Sequence, residues 1–189
     1  IVCTELCTLH FQREATIDNI ASSLLFSDGS AAVLVTADSD KHKGLHLKSF
    51  YSEVIPKGKR DMSWELSSSG FLMTLSGYIP DLIEEDFNLL VNRALVHADT
   101  GKENISQWCI HPGGKRILEA IHKSLQLKNG ELNDSYEVLK DYGNMSSPTI
   151  LFVLQKMLHR VLTPVTISNE GNICGAAIGL DLKMETFIA

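Results

Sequence analysis

The length, composition and charge of the chain narrow its possible functions before any motif is considered. Its 189 residues suit one domain with a buried core, and a content of 44% hydrophobic and 21% charged residues is typical of an ordinary globular protein. A net charge of −6 without a basic cluster argues against partners such as nucleic acids or anionic membranes, and no apolar run approaches the roughly 18 residues of a membrane span.

Strand-like and helix-like patterns alternate along the chain. In chain order they predict a strand at 1–6, a helix at 17–25, strands at 31–37, 44–54 and 70–76, a helix at 79–96, a strand at 107–110, helices at 114–127 and 146–162, and strands at 172–180 and 184–189. The helix at 146–162 is apolar nearly all round, so we expect it to be buried. The polar segment 38–69, with KGKR at 57–60, predicts a solvated surface loop. This alternation indicates an α/β layered domain.

The four cysteines are separated in sequence and lie in apolar settings. Cys3 and Cys7 are three residues apart, but no second Cys/His pair at zinc-site spacing accompanies them, so we expect no metal site. Together with Cys109 and Cys174 they are typical of small buried residues in a reducing cytosol, which predicts a cytoplasmic location.

One histidine lies where an apolar strand meets a proline, two glycines and a helix. His111 belongs to QWCIHPGGKRIL, residues 107–118, in which Gly113 and Gly114 permit the close approach of a backbone or ligand. The helix that begins there has free N–H groups. The position indicates either a functional histidine or a loop histidine that caps a neighbouring group.

An asparagine and a phenylalanine lie at two further helix ends. Asn144, in DYGNMSSPTILFVL at 141–154, precedes the helix expected to be buried. Its amide is either an ordinary N-cap or, because that helix end points inward, a donor that stabilises an anion beside the helix dipole. Phe26, in LLFSDGSAAVLV at 24–35, ends another predicted helix, where a place in the core is the ordinary interpretation.

Four motifs, taken in order, resemble one protein family. TELCTLHFQ, LLFSDGSAAV, WCIHPGGKRIL and YGNMSS are similar to segments of the type III polyketide synthases, the chalcone synthase-like family, over nearly the whole chain. HPGG and GNMSS separate this family from fatty-acid-type condensing enzymes. The resemblance implies the C-terminal half of a thiolase-like α/β fold, a layered mixed β-sheet with flanking helices. Residues 1–37 would end the N-terminal half, and residues 38–189 would form the C-terminal half.

The resemblance also implies roles for individual residues. His111 and Asn144 match the catalytic histidine and asparagine, and Phe26 matches a gatekeeper between the CoA tunnel and the cavity. The second gatekeeper position falls on Met73, whose side chain is flexible enough to pass a long chain. The other matched positions are the cavity-lining Glu5, Cys7, His10 and Ser146, and the glycines beside the pantetheine arm of CoA, Gly113 and Gly114.

The implied chemistry is decarboxylative condensation of malonyl-CoA onto a thioester derived from an acyl-CoA. Loss of CO₂ leaves an enolate, and N–H groups of His111 and Asn144 can converge on its oxygen as an oxyanion hole. The family's nucleophilic cysteine would lie upstream of Ile1 in an N-terminal half, so we expect the chain alone to be inactive. Family members are homodimers that act on CoA thioesters, so a homodimer without another cofactor is expected.

A rival interpretation is a truncated or degenerate homologue that acts as a structural or partner-binding module. In AAIGLDLKMETF, residues 176–187, Leu180 and Asp181 replace the proline and glycine of the family's cavity loop, which favours this rival. The intact His111, Asn144 and Phe26 oppose it.

Overall fold

The computed structural model describes residues 1–37, 44–55, 61–68, 70–162, 171–179 and 182–189. The strands are β1 Val2–Glu5, β2 Gly29–Ala32, β3 Ser49–Val54, β4 Met62–Ser67, β5 Gly70–Leu75, β6 Ile105–Ile110, β7 Asn172–Ile178 and β8 Lys183–Ile188. The α-helices are α1 Ile17–Leu25, α2 Ile79–His97, α3 Lys115–Ser124, α4 Asn133–Tyr142 and α5 Ser147–Leu162. Short 3₁₀ turns follow β1, at Cys7–His10, and precede β6, at Lys102–Asn104.

The central sheet is mixed, in the order β3-β8-β7-β6. The pairs β3–β8 and β8–β7 are antiparallel, whereas β7 and β6 are parallel. Because parallel neighbours require a crossover connection, the chain passes through α3, α4 and α5 between β6 and β7. Two antiparallel pairs, β1–β2 and β4–β5, lie outside this sheet.

The pleat of β6 assigns its side chains to two separate cores. Trp108 and Ile110 join the core formed with α2 and α3, in which Phe87 and Ile83 are fully buried. Cys109, between them in sequence, joins the second core with α4 and α5. Alternate residues of a strand face opposite sides of a sheet, so this division is what a sheet covered by helices on both faces requires.

Several sequence-based expectations about elements need correction. The segment 38–69 is not wholly a loop, because β4 lies within it and pairs with β5 from Met62↔Leu75 to Ser67↔Gly70; its KGKR stretch lies outside the described residues. The helix α4 was not predicted, and β2 ends at Ala32 rather than at residue 37 because its partner β1 is only four residues long. The predicted helices at 17–25, 79–96, 114–127 and 146–162 are present as α1, α2, α3 and α5.

The helix α5 is less buried than its apolar sequence predicts. Val153 and Met157 are buried against the second core, whereas Leu151, Phe152 and Leu154 are only half-buried. The helix packs on α4, β1, β2 and β6.

Candidate active site

His111 lies directly after β6, at the carboxyl end of a parallel strand. Its backbone N–H donates to Ala176 O at 2.9 Å, which continues the pairing with β7 for one residue. In α4 the buried Ser135 hydroxyl donates to Ile110 O at 2.6 Å and fixes the strand end from the other side. Carboxyl ends of parallel strands are common ligand sites, because the loops that follow them diverge there and leave a crevice.

Burial lowers the pKa of His111 to about 4, because desolvation penalises the imidazolium. Within the described residues, desolvation is the one cause of this shift, and the ring makes no hydrogen bond there. The imidazole is therefore neutral at physiological pH, with one nitrogen as a hydrogen-bond donor and the other as an acceptor. A neutral N–H donor suits an oxygen that gains negative charge during a reaction.

Asn144 is held between the end of α1 and the start of α5. Its backbone N–H donates to Leu25 O at 3.0 Å, and its carbonyl accepts from Ser27 N at 2.9 Å. The side-chain Oδ1 accepts from Ser146 N at 2.9 Å, and Nδ2 donates to Gly113 O at 3.2 Å. These bonds fix the orientation of the amide, so that Nδ2 faces the HPGG loop with its second N–H still available.

The entry into α5 depends on a threonine rather than on Asn144. Thr149 Oγ1 accepts from Met145 N at 2.8 Å and donates to Ser146 O at 2.9 Å. Ser146 adopts a φ of 60°, which turns the chain sharply before the helix. Asn144 is therefore not required as a simple N-cap, and its amide serves the turn and the HPGG loop instead.

One cavity of about 520 Å³ brings most of the predicted site residues together. Of those residues, its wall contains His111, Asn144, Phe26, Met73, Glu5, Cys7, His10, Ser146 and Gly113. Gly114 is not part of this wall; its φ of 162° is extended backbone, and a Cβ there would lie 3.7 Å from Leu25. Residues from the described parts of both predicted halves, 1–37 and 38–189, thus share one cavity.

The cavity wall formed by the N-terminal segment is fastened at two points. Glu5 Oε1 accepts from Ser147 Oγ at 2.7 Å, which ties the end of β1 to the first residue of α5. Thr8 donates to both carboxylate oxygens of Asp28, from N at 2.8 Å and from Oγ1 at 2.7 Å. The 3₁₀ turn that carries Cys7 is therefore fixed to the loop that follows Phe26.

The thiols of Cys7, Cys109 and Cys174 are not activated. Burial, followed by the charges of Glu5 and Asp28, raises the pKa of Cys7. Burial also raises the pKa of Cys109 and raises that of Cys174 to about 12. Because the thiolate is the reactive form, these groups remain protonated at neutral pH. Cys109 lies on the face of β6 turned toward α5, where its Sγ is 3.8 Å from Ile150 O.

Several wall residues were missed by the sequence analysis. They are Leu25, Met62, Leu75, Phe87, Ile117, Ile121, Ser147, Ile150, Ala176, Ala177, Ile178, Gly179, Lys183 and Glu185. Ile117 and Ile121 lie in the helix predicted at 114–127, so the sequence carried a signal for a helix but none for a cavity. Met62 lies on β4, whose pairing depends on tertiary structure. The altered positions 180 and 181 lie outside the described residues.

The described ranges contain neither a metal-binding cluster nor a membrane-spanning helix. Within them, no three His, Cys, Asp or Glu side chains are grouped in a way that would hold a metal ion. Among the same residues, no helix is both long and apolar enough to cross a membrane.

Comparison with known families adds a direct observation. Residues 46–189 match the family described as chalcone and stilbene synthases, C-terminal domain. The chain belongs to this family. It corresponds to the C-terminal portion of its members, as the motifs HPGG and GNMSS predicted.

Individual relatives and solved structures agree with this membership. The chain is 30% identical over 168 residues to 1,3,6,8-tetrahydroxynaphthalene synthase from Streptomyces peucetius subsp. caesius, covering 85% of this chain and 43% of the relative. It is 33% identical over 165 residues to a putative chalcone synthase from Bacillus subtilis, covering 84% of this chain and 45% of the relative. The chain therefore spans less than half the length of these curated relatives.

The fold is that of type III polyketide synthases. PKS-I from the brown alga Ectocarpus siliculosus superposes with a TM-score of 0.89 at 25% identity, covering 100% of this chain and 51% of that chain. The C-terminal type III polyketide synthase domain of Steely1, a hybrid enzyme from Dictyostelium, gives a TM-score of 0.88 at 27% identity, covering 99% and 52%. The predicted α/β fold of this family, with a mixed sheet between helices, is confirmed.

Proposed function

We propose that the protein containing this chain is an acyltransferase that condenses malonyl-CoA onto an acyl-CoA-derived thioester, with loss of CO₂. The observation that carries the proposal is the shared cavity, in which His111 and Asn144 line the same wall as Phe26 in a member of the chalcone and stilbene synthase family. In this proposal the chain contributes the oxyanion hole and much of the cavity wall.

The proposed chemical step depends on two N–H donors. Decarboxylation breaks the bond between the malonyl carboxylate and its α-carbon, and the electron pair moves onto the thioester oxygen. The neutral imidazole of His111 and the free N–H of Asn144 stabilise this developing oxyanion. Because hydrogen bonds to Gly113 and Ser146 already orient the Asn144 amide, little reorganisation of this donor accompanies the reaction. Removal of one such donor typically lowers the rate by a factor on the order of 10²–10³.

The proposed enzyme needs groups outside this chain. The raised pKa values of Cys7, Cys109 and Cys174 argue against each as the acyl-carrying nucleophile. We assign that role to a cysteine in an N-terminal half of the same enzyme, which would act as a homodimer. The Gly113–Gly114 segment would lie beside the pantetheine arm of the CoA substrate, where the absence of side chains leaves room. CoA thioesters are the only small-molecule partners in this scheme.

Product analysis tests the proposal directly. The complete protein is incubated with malonyl-CoA and a series of acyl-CoA starters, and products are identified by mass spectrometry. We expect pyrones or aromatic polyketides whose carbon skeleton is the starter acyl group extended by two carbons for each decarboxylated malonyl unit, less any water or CO₂ lost on ring closure. A complete protein that binds acyl-CoA but neither decarboxylates malonyl-CoA nor extends a starter would instead support the non-catalytic homologue.

A further inference from the structure

A second cavity of about 390 Å³ adjoins the main one. The two cavities share four wall residues, namely Cys7, His10, Phe26 and Met73. The second cavity is otherwise lined by Thr8, Phe11, Gln12, Asn19, Ser22 and Ser23, and we call it the distal compartment. Because Phe26 and Met73 face both spaces, they form part of the partition between the distal compartment and the cavity that contains His111 and Asn144.

Of the shared residues, Met73 has the most flexible long side chain. It lies in β5 and is 7% exposed, so its side chain is enclosed by neighbours rather than free in solvent. An unbranched thioether with three rotatable bonds fits several shapes, unlike the rigid ring of Phe26. The position of Met73 therefore depends strongly on the atoms packed against it.

Ser22 of α1 provides such a contact. Its Oγ donates to Asp18 O at 2.7 Å, one turn earlier in the helix, and lies 3.6 Å from Met73 Sδ. One hydroxyl proton serves both acceptors, and the shorter bond to Asp18 fixes the oxygen in place. The sulfur of Met73 thus packs against an immobilised polar atom, which stops the side chain from moving further into the distal compartment.

The orientation of α1 turns Ser22 toward the distal compartment. The helix exposes three of its four large apolar side chains, with Ile17 at 85% and Leu24 at 84% exposure, whereas Leu25 is half-buried. Its half-buried positions include Asn19 and Ser22, and both line the distal compartment. A leucine at position 22 would occupy part of that compartment, whereas serine leaves the space open.

We infer that Ser22 determines the length of acyl chain that the enzyme accepts, by holding Met73 between the main cavity and the distal compartment. This inference rests on the proposed function. The resemblance implies that Phe26 and Met73 lie between the CoA tunnel and the cavity. This inference instead places them between the thioester end of the acyl chain, near His111, and its remote end in the distal compartment. The compartment would take a carbon-rich chain end, because Phe11, Phe26 and Met73 contribute apolar surface there. Ser22 is a positioning residue in this account, because it acts through Met73.

The test measures starter preference in the complete protein. The measured quantity is the ratio of kcat/KM for dodecanoyl-CoA to that for butanoyl-CoA, with malonyl-CoA as extender. Ser22→Ala should raise the ratio by on the order of tenfold, because Met73 gains freedom and a few methylene groups fit better. Ser22→Leu should lower it by a similar factor. Ser30→Ala changes an exposed serine that lines neither cavity, and it should leave the ratio unchanged.

A double-mutant comparison shows whether Ser22 acts through Met73. In a Met73→Ala background, Ser22→Ala should cause no further change, because the side chain that it positions has been removed. An equal shift in both backgrounds, or an unchanged ratio in Ser22→Ala, would overturn the inference.

Acyl-CoA binding separates this inference from the proposed function. Isothermal titration with the same two acyl-CoA compounds gives a ratio of Kd values even in a protein without condensing activity. If the wild-type protein is inactive but its Kd ratio shifts on Ser22→Ala, the proposed function is refuted. The inference that Ser22 determines the accepted chain length then still stands. An active protein whose kcat/KM and Kd ratios are both unchanged would refute the role of Ser22 alone.

Discussion

The protonation state of His111 is set by its surroundings. The ring follows the end of β6 and lies in the wall of the main cavity, and desolvation there lowers its pKa to about 4. The unfolded chain would take up a proton near pH 6.5, the ordinary value for histidine, whereas the folded chain resists protonation until about pH 4. Folding is therefore penalised progressively as the pH falls between these values.

An NMR titration of the chain tests this protonation behaviour. The His111 ring resonances, assigned by comparison with His111→Gln, should show a midpoint below pH 5. The wild-type chain should also lose more stability than His111→Gln between pH 7.5 and pH 5. A midpoint near 6.5 would show that the ring is solvated and would contradict the burial argument.

The identity and order of the four sequence motifs predicted more residues of the site than the local helix and strand patterns did. From the local sequence alone, His111 could have been a loop histidine that caps a neighbouring group, and Asn144 an ordinary N-cap. Only the order of the four motifs connected these two residues. The bonds that orient Asn144, to Leu25, Ser27 and Gly113, join parts of the chain far apart in sequence. The spacing of residues within a motif does not predict contacts between distant segments. For the same reason the sequence did not predict the contacts of Ser22 with Met73 and of Ser135 with Ile110.

At the scale of elements, the junction between α4 and Asn144 depends on a glycine. Gly143 has φ 73° and ψ −166°, a conformation open essentially only to glycine. A Cβ there would also lie 2.9 Å from Ser27 Oγ. Gly143→Ala should therefore lower the free energy of unfolding by about 1–3 kcal/mol.

Gly114→Ala is the matched control for this substitution. Its extended backbone accepts any residue, and the new methyl group would meet Leu25 at an ordinary 3.7 Å. Denaturant unfolding of the complete protein should show a loss of stability in Gly143→Ala and little change in Gly114→Ala. Equal effects of the two substitutions would argue against the backbone explanation.

The 3₁₀ turn at Cys7–His10 depends on one carboxylate. Two hydrogen bonds from Thr8 lower the pKa of Asp28, so the stabilisation is present above the ordinary pKa of aspartate and is lost as the pH falls through the lowered value. Asp28→Ala should lower the thermal midpoint and raise KM for acyl-CoA, because Cys7 and His10 line the cavity. Thr8→Ser keeps both donors and should resemble the wild type in each measurement. A wild-type KM in Asp28→Ala would show that the turn holds its position without this contact.

Helices and strands with a strong periodicity of apolar residues were predictable from the sequence. Elements that depend on contacts with a partner element were not. The apolar stripe of α2 predicted its first residue, Ile79, because burial of one helix face is encoded locally. The helix α4 carries few buried residues, among them Val138 and the polar Ser135, so its sequence lacks such a stripe. The strand β4 is defined by pairing with β5, which sequence periodicity does not report.

At the scale of the molecule, exposed apolar side chains concentrate at one end of the chain. Ile1, Val2, Leu6, Leu9, Phe11, Ile17, Ile20, Leu24, Leu34 and Val35 are all exposed. A cluster of this kind normally marks a surface that contacts another polypeptide. An N-terminal half of the same enzyme is the partner that our proposal requires. The boundary predicted between residues 37 and 38 falls at the edge of 38–43, which lies outside the described residues.

The central claim is that His111 and Asn144 act together as one oxyanion site, and malonyl-CoA decarboxylation tests it most directly. The complete protein is assayed for acetyl-CoA and CO₂ release as the wild type, His111→Ala, Asn144→Ala and the double variant. We expect each single variant to lose a factor on the order of 10²–10³ and the double variant to lose less than the product of the two. Decarboxylation at the wild-type rate in either single variant would contradict the claim.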